Sequence, residues 1–507
     1  MNNQGNRMLT KSQPDEIQSF LADSSNMQGG SAARVVFPEN TEEVAGVLSE
    51  AARERVPVTI AGAGTGIVGG RVPFGGIVLA TERLNNIKEI VRETDGGGRA
   101  IAEAGVVLAD FQRAVAQRHL LYPPDPTEWS CYLGGTVATN ASGARTFKYG
   151  ATRNFVQRLK IALTTGDVID LRRGDHHAAA DGTLRLQLPG GREIKARLPS
   201  YNMPRTRKGV SGYYVAPGMD AIDLFIGSEG TLGVVTEIEV TLLPQPEGVL
   251  SGIVFFKSED GLLDFVRAAR AASLDTRAEK RGIGMDARAL EYFDAASLSL
   301  LGSRYSRVPL EAAGAIFFEQ ETSAHTEASL QAAWLALLER HDALLDDSWF
   351  AVNEQDRKEL SEFRHQLPVL VNEWLTHHSQ RKVSTDMAVP DDEFAGMLRF
   401  YKTELEASRL NYVIFGHIGD NHVHVNIMPR DEAEATRAHA LYRQFVGRAV
   451  SSGGTISAEH GIGKLKRDYL KALYSEAHLR EMAELKRAFD PACILGRGNI
   501  FAEEYLA

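Results

Sequence analysis

The chain has 507 residues, too many for one hydrophobic core, so two or three domains are expected. A formal charge of −10 with no basic face argues against a nucleic-acid partner, and 43% apolar content is that of a globular protein. Only Cys131 and Cys493 are present, neither in a Cys-x-x-Cys, which excludes a self-ligated iron–sulfur cluster and favours a reduced, cytoplasmic setting.

Residues 1–30 are polar and lack the apolar stretch of a signal peptide, and no apolar run is long enough to span a bilayer. Residues 41–56 place Val44, Val47, Leu48 and Ala51 on one stripe, which predicts an amphipathic helix. Residues 57–60 predict a short strand that runs into Ala61-Gly62-Ala63-Gly64-Thr65-Gly66-Ile67-Val68-Gly69-Gly70. Seven of these ten are Gly or Ala, and consecutive exposed amides in such a loop form a nest for an anion, typically a phosphate. The loop is neither a Walker loop nor a dinucleotide fingerprint, and the apolar run 75–80 behind it predicts strand–loop–strand.

A second block comprises Tyr122-Pro123-Pro124-Asp125-Pro126, then 133–143 (Leu-Gly-Gly-Thr-Val-Ala-Thr-Asn-Ala-Ser-Gly), then Lys148-Tyr149-Gly150. A third, 227–236 (Gly-Ser-Glu-Gly-Thr-Leu-Gly-Val-Val-Thr), precedes an apolar strand at 238–243. Three small-residue loops, each expected to be attached to strands, point to one large phosphate-bearing cofactor. Residues 173–214 read as an insertion in which His176 and His177 form a solvated loop.

Strand 251–256, helix 261–272, strand 316–320 and a long helix at 325–345 predict a second α+β layer. Residues 349–374 read as mostly helical and include Arg364; 382–390 enter a further strand. Tyr412 to Phe415 and the alternating 422–426 predict a hairpin, with Gly-Asp-Asn as its turn. His422, His424 and Asn426 would share one face, and His417 would approach His424. Glu459 and His460 follow in Ser-Ala-Glu-His-Gly between glycine-rich breaks. Two imidazoles and a carboxylate are the ligand set of a catalytic divalent ion with an open position, and His460 would remain as an acid–base group. The same residues also suit an ordinary packed or solvated hairpin. Residues 465–489 read as helical.

Taken together, these pieces resemble the flavoproteins of the vanillyl-alcohol-oxidase type, in the D-lactate, D-2-hydroxyglutarate and glycolate dehydrogenase branch. The resemblance rests on Gly-Ala-Gly-Thr-Gly-Ile-Val-Gly-Gly, Gly-Gly-Thr-Val-Ala-Thr-Asn-Ala-Ser-Gly, Gly-Ser-Glu-Gly-Thr-Leu-Gly, the His417 to Asn426 hairpin and Glu459-His460-Gly461, and runs from about residue 31 to the end. It implies an α+β protein. Residues 1–30 would form a polar segment, 31–246 a PCMH-type FAD-binding domain, 247–460 an α+β cap carrying the metal site, and 461–507 a segment returning to the FAD domain. FAD would be cradled by Ala61, Gly62, Ala63, Gly64, Thr65, Gly66 and Gly69 of the first loop. Pro124, Asp125, Gly134, Gly135, Ala138, Asn140, Ser142, Gly143, Tyr149 and Gly150 would follow from the second block, then Glu229, Gly230, Val234 and Asn499. Some relatives link FAD to a His in the first loop; this chain has Thr65 near that place, so non-covalent FAD is expected.

The same resemblance implies a divalent metal, zinc favoured, on His417, His424 and Glu459, with His460 as base. Arg364 would hold the substrate carboxylate, and Asn426 would hydrogen-bond the substrate or the metal shell. His422 stands where relatives commonly carry Asn and is expected behind the ligands or in a structural role. Hydroxyglutarate-selective relatives have a Thr four residues after the Arg and a Lys two before the Asp; this chain has Pro368 and Ser384 there, with Lys382 two residues further back. A D-lactate-like substrate is therefore favoured, with Lys382 and Ser384 kept as substrate contacts. The expected function is oxidation of a D-2-hydroxy acid to the 2-oxo acid, with a quinone, cytochrome or electron-transfer flavoprotein as acceptor; a homodimer is allowed for. The alternatives are a D-2-hydroxyglutarate or glycolate dehydrogenase or oxidase of the same fold, a zinc hydrolase, or a flavin module without turnover.

Overall fold

The described strands of the first half form two larger sheets and a separate hairpin, and the first glycine-rich loop joins two neighbouring strands of the first sheet. The computed structural model describes residues 8–279 and 284–506. Thr41–Glu54 is the expected helix: the Asn40 side chain accepts from the Glu43 amide at its start, and Val44, Val47, Leu48 and Ala51 are buried. Val58–Ala61 and Ile77–Ala80 follow as strands paired in parallel, with only the loop between them and no helix. Arg34–Phe37 pairs with the other edge of Ile77–Ala80, and Leu9–Lys11 pairs antiparallel with Arg34–Phe37. The N-terminal segment is thus partly built into this sheet rather than lying apart as a polar tail. Ile17 is buried against Val35 and Phe37, with Phe20 and Leu21 beside it; residues 1–7 of that segment lie outside the described residues.

The second sheet runs in the order Ile87–Arg92, Gly98–Glu103, Val234–Pro244, Val156–Ala162, Val168–Arg172, all antiparallel. Val234–Pro244 is its central strand, so the third small-residue block feeds straight into the middle of the sheet. The second block departs from expectation: Leu133–Ala138 is a short helix, not a loop attached to a strand. Its glycines allow the helix to press on the neighbouring chain. The Gly134 amide donates to the Ala104 carbonyl at 2.7 Å, and a methyl group at Gly134 would lie 2.7 Å from Ala104 Cβ.

The supposed insertion is a hairpin, Thr183–Gln187 with Glu193–Arg197, whose Leu184, Leu186, Ile194 and Ala196 join the main core. Ser200 ties its far end to the Glu481 carboxylate of helix Glu476–Phe489.

The second half is one antiparallel seven-stranded sheet. Its order is Trp349–Phe350, Gly248–Phe256, Gly314–Thr322, Ala287–Asp294, Asn411–Gly416, His424–Met428, Val383–Ser384. Alternation along the strands gives it two apolar faces. Val254, Phe256, Ile316 and Phe318 pack with Leu262 and Phe265 of helix Glu259–Ala278 and Trp334 of Glu327–Arg340. Ile253, Phe255, Ala315 and Phe317 pack with Leu360, Phe363, Leu367 and Val371 of Glu354–His377. Pro368 lies inside that last helix and has no N–H to give the Arg364 carbonyl.

The C-terminal stretch expected as one helix is two, Arg467–Leu473 and Glu476–Phe489. Tyr474 between them is extended, and the Ser475 side chain starts the second helix by accepting from the His478 amide. The chain then returns to the first sheet, where Leu495 bridges Val58 in parallel. Among the described residues no helix is long and apolar enough to cross a membrane.

Gly143 shows how tightly the second block is packed: a methyl group there would sit 1.9 Å from the Asp125 carbonyl oxygen. Gly143→Ala should therefore cost about 3 kcal/mol or more. Urea unfolding checks this, and an unchanged midpoint would show that the two segments separate freely.

Candidate active site

The site grows from the edge of the seven-stranded sheet. In the hairpin Asn411–Gly416 with His424–Met428, Phe415 faces His424, which brings His417 just past one arm beside the start of the other. The turn is a short 3-10 segment, Ile418–Asp420, closed by Asn421 in the left-handed region at φ 54°. His422 precedes the strand and bridges Ala388 instead. Its imidazole nonetheless joins the group: His417, His422, His424 and Glu459 each place one donor atom within 4.8 Å of the others.

Glu459 is the centre of this arrangement, and its two oxygens have different duties. Oε1 accepts from Lys208 Nζ at 2.5 Å and from Ser142 Oγ at 2.9 Å. Oε2 faces the imidazoles, 3.2 Å from His417 Nε2, 3.6 Å from His424 Nε2 and 3.9 Å from His422 Nδ1. Each ring is backed by an acceptor. His417 Nδ1 is 2.7 Å from Glu291 Oε1, His424 Nδ1 is 3.0 Å from the Thr385 carbonyl, and His422 Nε2 is 3.4 Å from Asp386 Oδ1. Rear acceptors of this kind fix which nitrogen of an imidazole is free to bind an ion.

Burial pushes the Glu459 carboxyl up, but His417 and Lys208 outweigh it and hold the group well below the usual carboxylate range. For His417 burial acts downward, and Glu291 with Glu459 overcomes it to give a pKa of about 9. His422 goes the other way: burial, then His424, lowers it to about 4. Burial lowers His460 to about 3, with Asp386 opposing, so its ring is neutral and can accept a proton.

His460 stacks on His424 with ring centres 5.2 Å apart and planes 11° from parallel. Its Nδ1 lies 3.5 Å from Asp386 Oδ2, and its side chain is 24% exposed against 12% for His424 and none for His422, which makes it the most open of the clustered rings. Asp386, His424 and His460 also converge. The Asp386 oxygens are already taken by Ser457 Oγ and Lys466 Nζ, both at 2.6 Å, and by the Glu459 and His460 amides. Asp386 is therefore the organiser of the 457–460 turn.

Arg364 reaches the cluster through Glu291, to which its Nε donates at 3.1 Å, while Nη1 lies 3.3 Å from His365 Nε2. Asn426 is buried opposite Ser384, its Nδ2 3.5 Å from the His424 carbonyl. Lys382 is exposed and has no ion-pair partner among the described residues, and Ser384 donates to the Thr385 carbonyl at 3.5 Å. The sequence pattern did not single out Lys208, Glu291 or Asp386. Lone charges in no repeating pattern carry no local signal, although Asp386 lies inside the quoted Lys382 stretch and Lys208 inside the supposed insertion.

Ser142 brings the second small-residue block to Glu459, and the third block packs on the second. Glu229 N and Gly227 N donate to Ala138 O and Val137 O, and Gly230 packs on Ile60. Lys464 Nζ bonds Gly69 O, Gly70 O and Asn499 Oδ1, and Asn499 Nδ2 donates to Gly70 O at 3.0 Å, so the C-terminal segment clasps the first loop. Among the described residues no amide of residues 62–70 donates a hydrogen bond to another protein atom. Gly66 and Gly135 face open space. Free amides at a glycine-rich turn fit a pyrophosphate, and no His lies in the loop to link a flavin covalently.

Several other expected cofactor contacts have polar atoms committed within the protein. Asp125 accepts from Trp129 and Pro124 O from Gln112; Asn140, at φ 47°, accepts from the Arg153 amide. Tyr149 bonds Glu321, and Glu229 takes the Ile462 and Gly463 amides at 2.6 and 2.7 Å. Ser142 serves Glu459, and Val234 is buried at the start of the central strand.

Residues 32–172 match the family described as FAD binding domain, and residues 247–500 match FAD linked oxidases, C-terminal domain. The glycolate oxidase subunit GlcD of Bacillus subtilis is 30% identical over 93% of this chain and 89% of its own. A D-lactate dehydrogenase of Archaeoglobus fulgidus is 31% identical over 92% of this chain and 90% of its own. The solved structure of an alkyldihydroxyacetonephosphate synthase superposes with a TM-score of 0.65 over 96% of this chain and 82% of that one. At 15% identity it shows a shared fold alone.

The pKa directions set a stability profile for the chelator-treated protein. His422 and His460 are depressed, so their contribution is complete above about pH 6.5 and is lost as pH falls towards 4 and 3. His417 is raised, so its contribution is complete below about pH 6.5 and is lost as pH climbs through about 9. Urea unfolding should show greatest stability near neutrality with losses on both sides, and a profile still rising at pH 9 would contradict the His417 assignment. Lys208→Met strands Glu459 and Asp420 without their buried cation and should cost about 3–5 kcal/mol. Adding Glu459→Gln should recover part of that loss; strictly additive costs would show that the pair is not coupled.

Proposed function

We propose that this chain, which belongs to the FAD-linked oxidases and is an FAD-dependent oxidoreductase acting on a hydroxy acid, is a metal-dependent dehydrogenase that converts a D-2-hydroxy acid to its 2-oxo acid. The observation that carries the metal-dependent part is the divided carboxylate of Glu459. One oxygen is neutralised from the FAD-binding half by Lys208 and Ser142, and the other is turned towards imidazoles from the second sheet. His417, His424 and Glu459 would hold a divalent ion, with zinc suited to such nitrogen-rich donors. The amides of residues 62–70 would hold the FAD pyrophosphate non-covalently.

Bound FAD would supply a hydride acceptor for the substrate's alpha carbon, and a bound ion would lower the pKa of the substrate hydroxyl. The protein's own groups do the rest. His460 takes the hydroxyl proton on the ring nitrogen that faces away from Asp386, and Asp386 stabilises the imidazolium that results. Arg364, steadied at Nε by Glu291, offers its terminal nitrogens to the substrate carboxylate. Asn426 helps to orient the substrate from the sheet edge, and Lys208 keeps Glu459 ionised throughout.

Pro368 and Ser384 lie on the two elements flanking the site and give a second carboxylate little to bind, which favours a D-lactate-like monocarboxylate. D-2-hydroxyglutarate is the alternative that the unpaired Lys382 supports. A quinone, a cytochrome or an electron-transfer flavoprotein would be the electron acceptor.

Anaerobic mixing with D-lactate, L-lactate, D-2-hydroxyglutarate and glycolate, with and without chelator, tests this. D-lactate should bleach the flavin fastest and chelator should stop it; a flavin that stays oxidised with every acid would refute the reading. His460→Ala should retain FAD and slow flavin reduction by about 100–10,000-fold. Arg364→Ala should raise KM about tenfold or more, and an unchanged KM would remove Arg364 from the substrate.

A further inference from the structure

The turn between the hairpin arms holds a donor that a set of His417, His424 and Glu459 leaves out. His422 is fully buried, and among the described residues its only near acceptors are Asp386 Oδ1, 3.4 Å from Nε2 and poorly aligned, and Glu459 Oε2, 3.9 Å from Nδ1. A buried imidazole whose Nδ1 is unmet is costly unless something else meets it. Its orientation is also not that of a ring filling space. Nε2 points at Asp386 Oδ1 from 3.4 Å and Nδ1 at Glu459 Oε2 from 3.9 Å. His417 and His424 are arranged alike, with one nitrogen towards a rear acceptor and the other towards that same oxygen. Three rings presenting one nitrogen each to a common point, each supported from behind, is how imidazoles surround an ion. The four donor atoms lie within 4.8 Å of one another, and metal bonds of about 2.1 Å place two ligands at most about 4.2 Å apart, so the rings need move only slightly.

We propose that His422 is a fourth protein ligand, through Nδ1, and that this chain holds its divalent ion with three imidazoles and one carboxylate. The proposal rests on the metal-dependent reading above and adds two consequences to it. Four protein donors in a tetrahedral shell would close the ion to substrate, so the ion must accept five or six ligands, leaving positions for the substrate hydroxyl and carboxylate. Three imidazoles also select a first-row transition ion over Mg2+ or Ca2+.

The test uses chelator-treated flavoprotein titrated with Zn2+ against a chromogenic chelator, for the wild type and His422→Asn, with X-ray absorption at the zinc edge. The wild-type spectrum should fit three imidazoles, and the variant two. The variant should retain FAD and bind Zn2+ about 10–100-fold more weakly or worse, and Mg2+ in excess should displace zinc from neither. If the variant does not fold, the wild-type imidazole count decides. A wild type with two imidazoles, or a variant that binds Zn2+ as tightly, would overturn the role of His422 and leave the three-residue set standing. No zinc bound by the wild type would overturn both.

Discussion

One buried carboxylate, Glu459, is shared between the two halves of this protein. Glu459 is gripped on one oxygen by Lys208 and Ser142, which come from the FAD-binding half, and faces three imidazoles of the seven-stranded sheet with the other. Burying such a charge is tolerable only while its partners stay in place. The same two halves are also joined by Lys148 and Tyr149 to Glu321, by Arg207 to Asp391 and by Glu229 to the Ile462 and Gly463 amides, so Glu459 sits inside a wider seam of polar contacts.

The charges around Glu459 also bear on what the site accepts. The carboxylates of Glu291, Asp386, Asp420 and Glu459 are paired with Arg364, Lys208, Lys466 and a protonated His417. On the proposed function, a divalent ion in place of the His417 proton would add positive charge that a substrate carboxylate could offset, and Lys382, exposed beside the edge strand, would be the cation nearest to hand for a second carboxylate.

Features with a local period were legible in the sequence. The hairpin showed itself through the alternation after Asn421, the second α+β layer through the strands around Val254 and Ile316, and the first loop through its run of small residues. Long-range charge pairing was not legible: Lys208 meets Glu459 across 251 positions and Asp386 meets the Glu459 amide across 73. Small residues proved an ambiguous signal. They announce that something comes close without saying what, and at Gly134 and Gly143 it is the protein's own Ala104 and Asp125, whereas Gly66 and Gly135 face open space. The N-terminal strand was hidden because Leu9, Ile17 and Phe20 are scattered among polar residues, and each finds its apolar neighbours only once the sheet has formed.

On the proposed function, Glu459 would join a divalent ion to the flavin-binding half through its two oxygens. Anomalous diffraction from crystals of the FAD-loaded protein grown with Zn2+, recorded on either side of the zinc edge, tests it most directly. One strong peak bonded to Glu459 Oε2 and to imidazole nitrogens is expected, with Lys208 still on Oε1 and the flavin ring within reach of the same space. A peak elsewhere, or an ion bound while Glu459 turns both oxygens to Lys208 and Ser142, would contradict it.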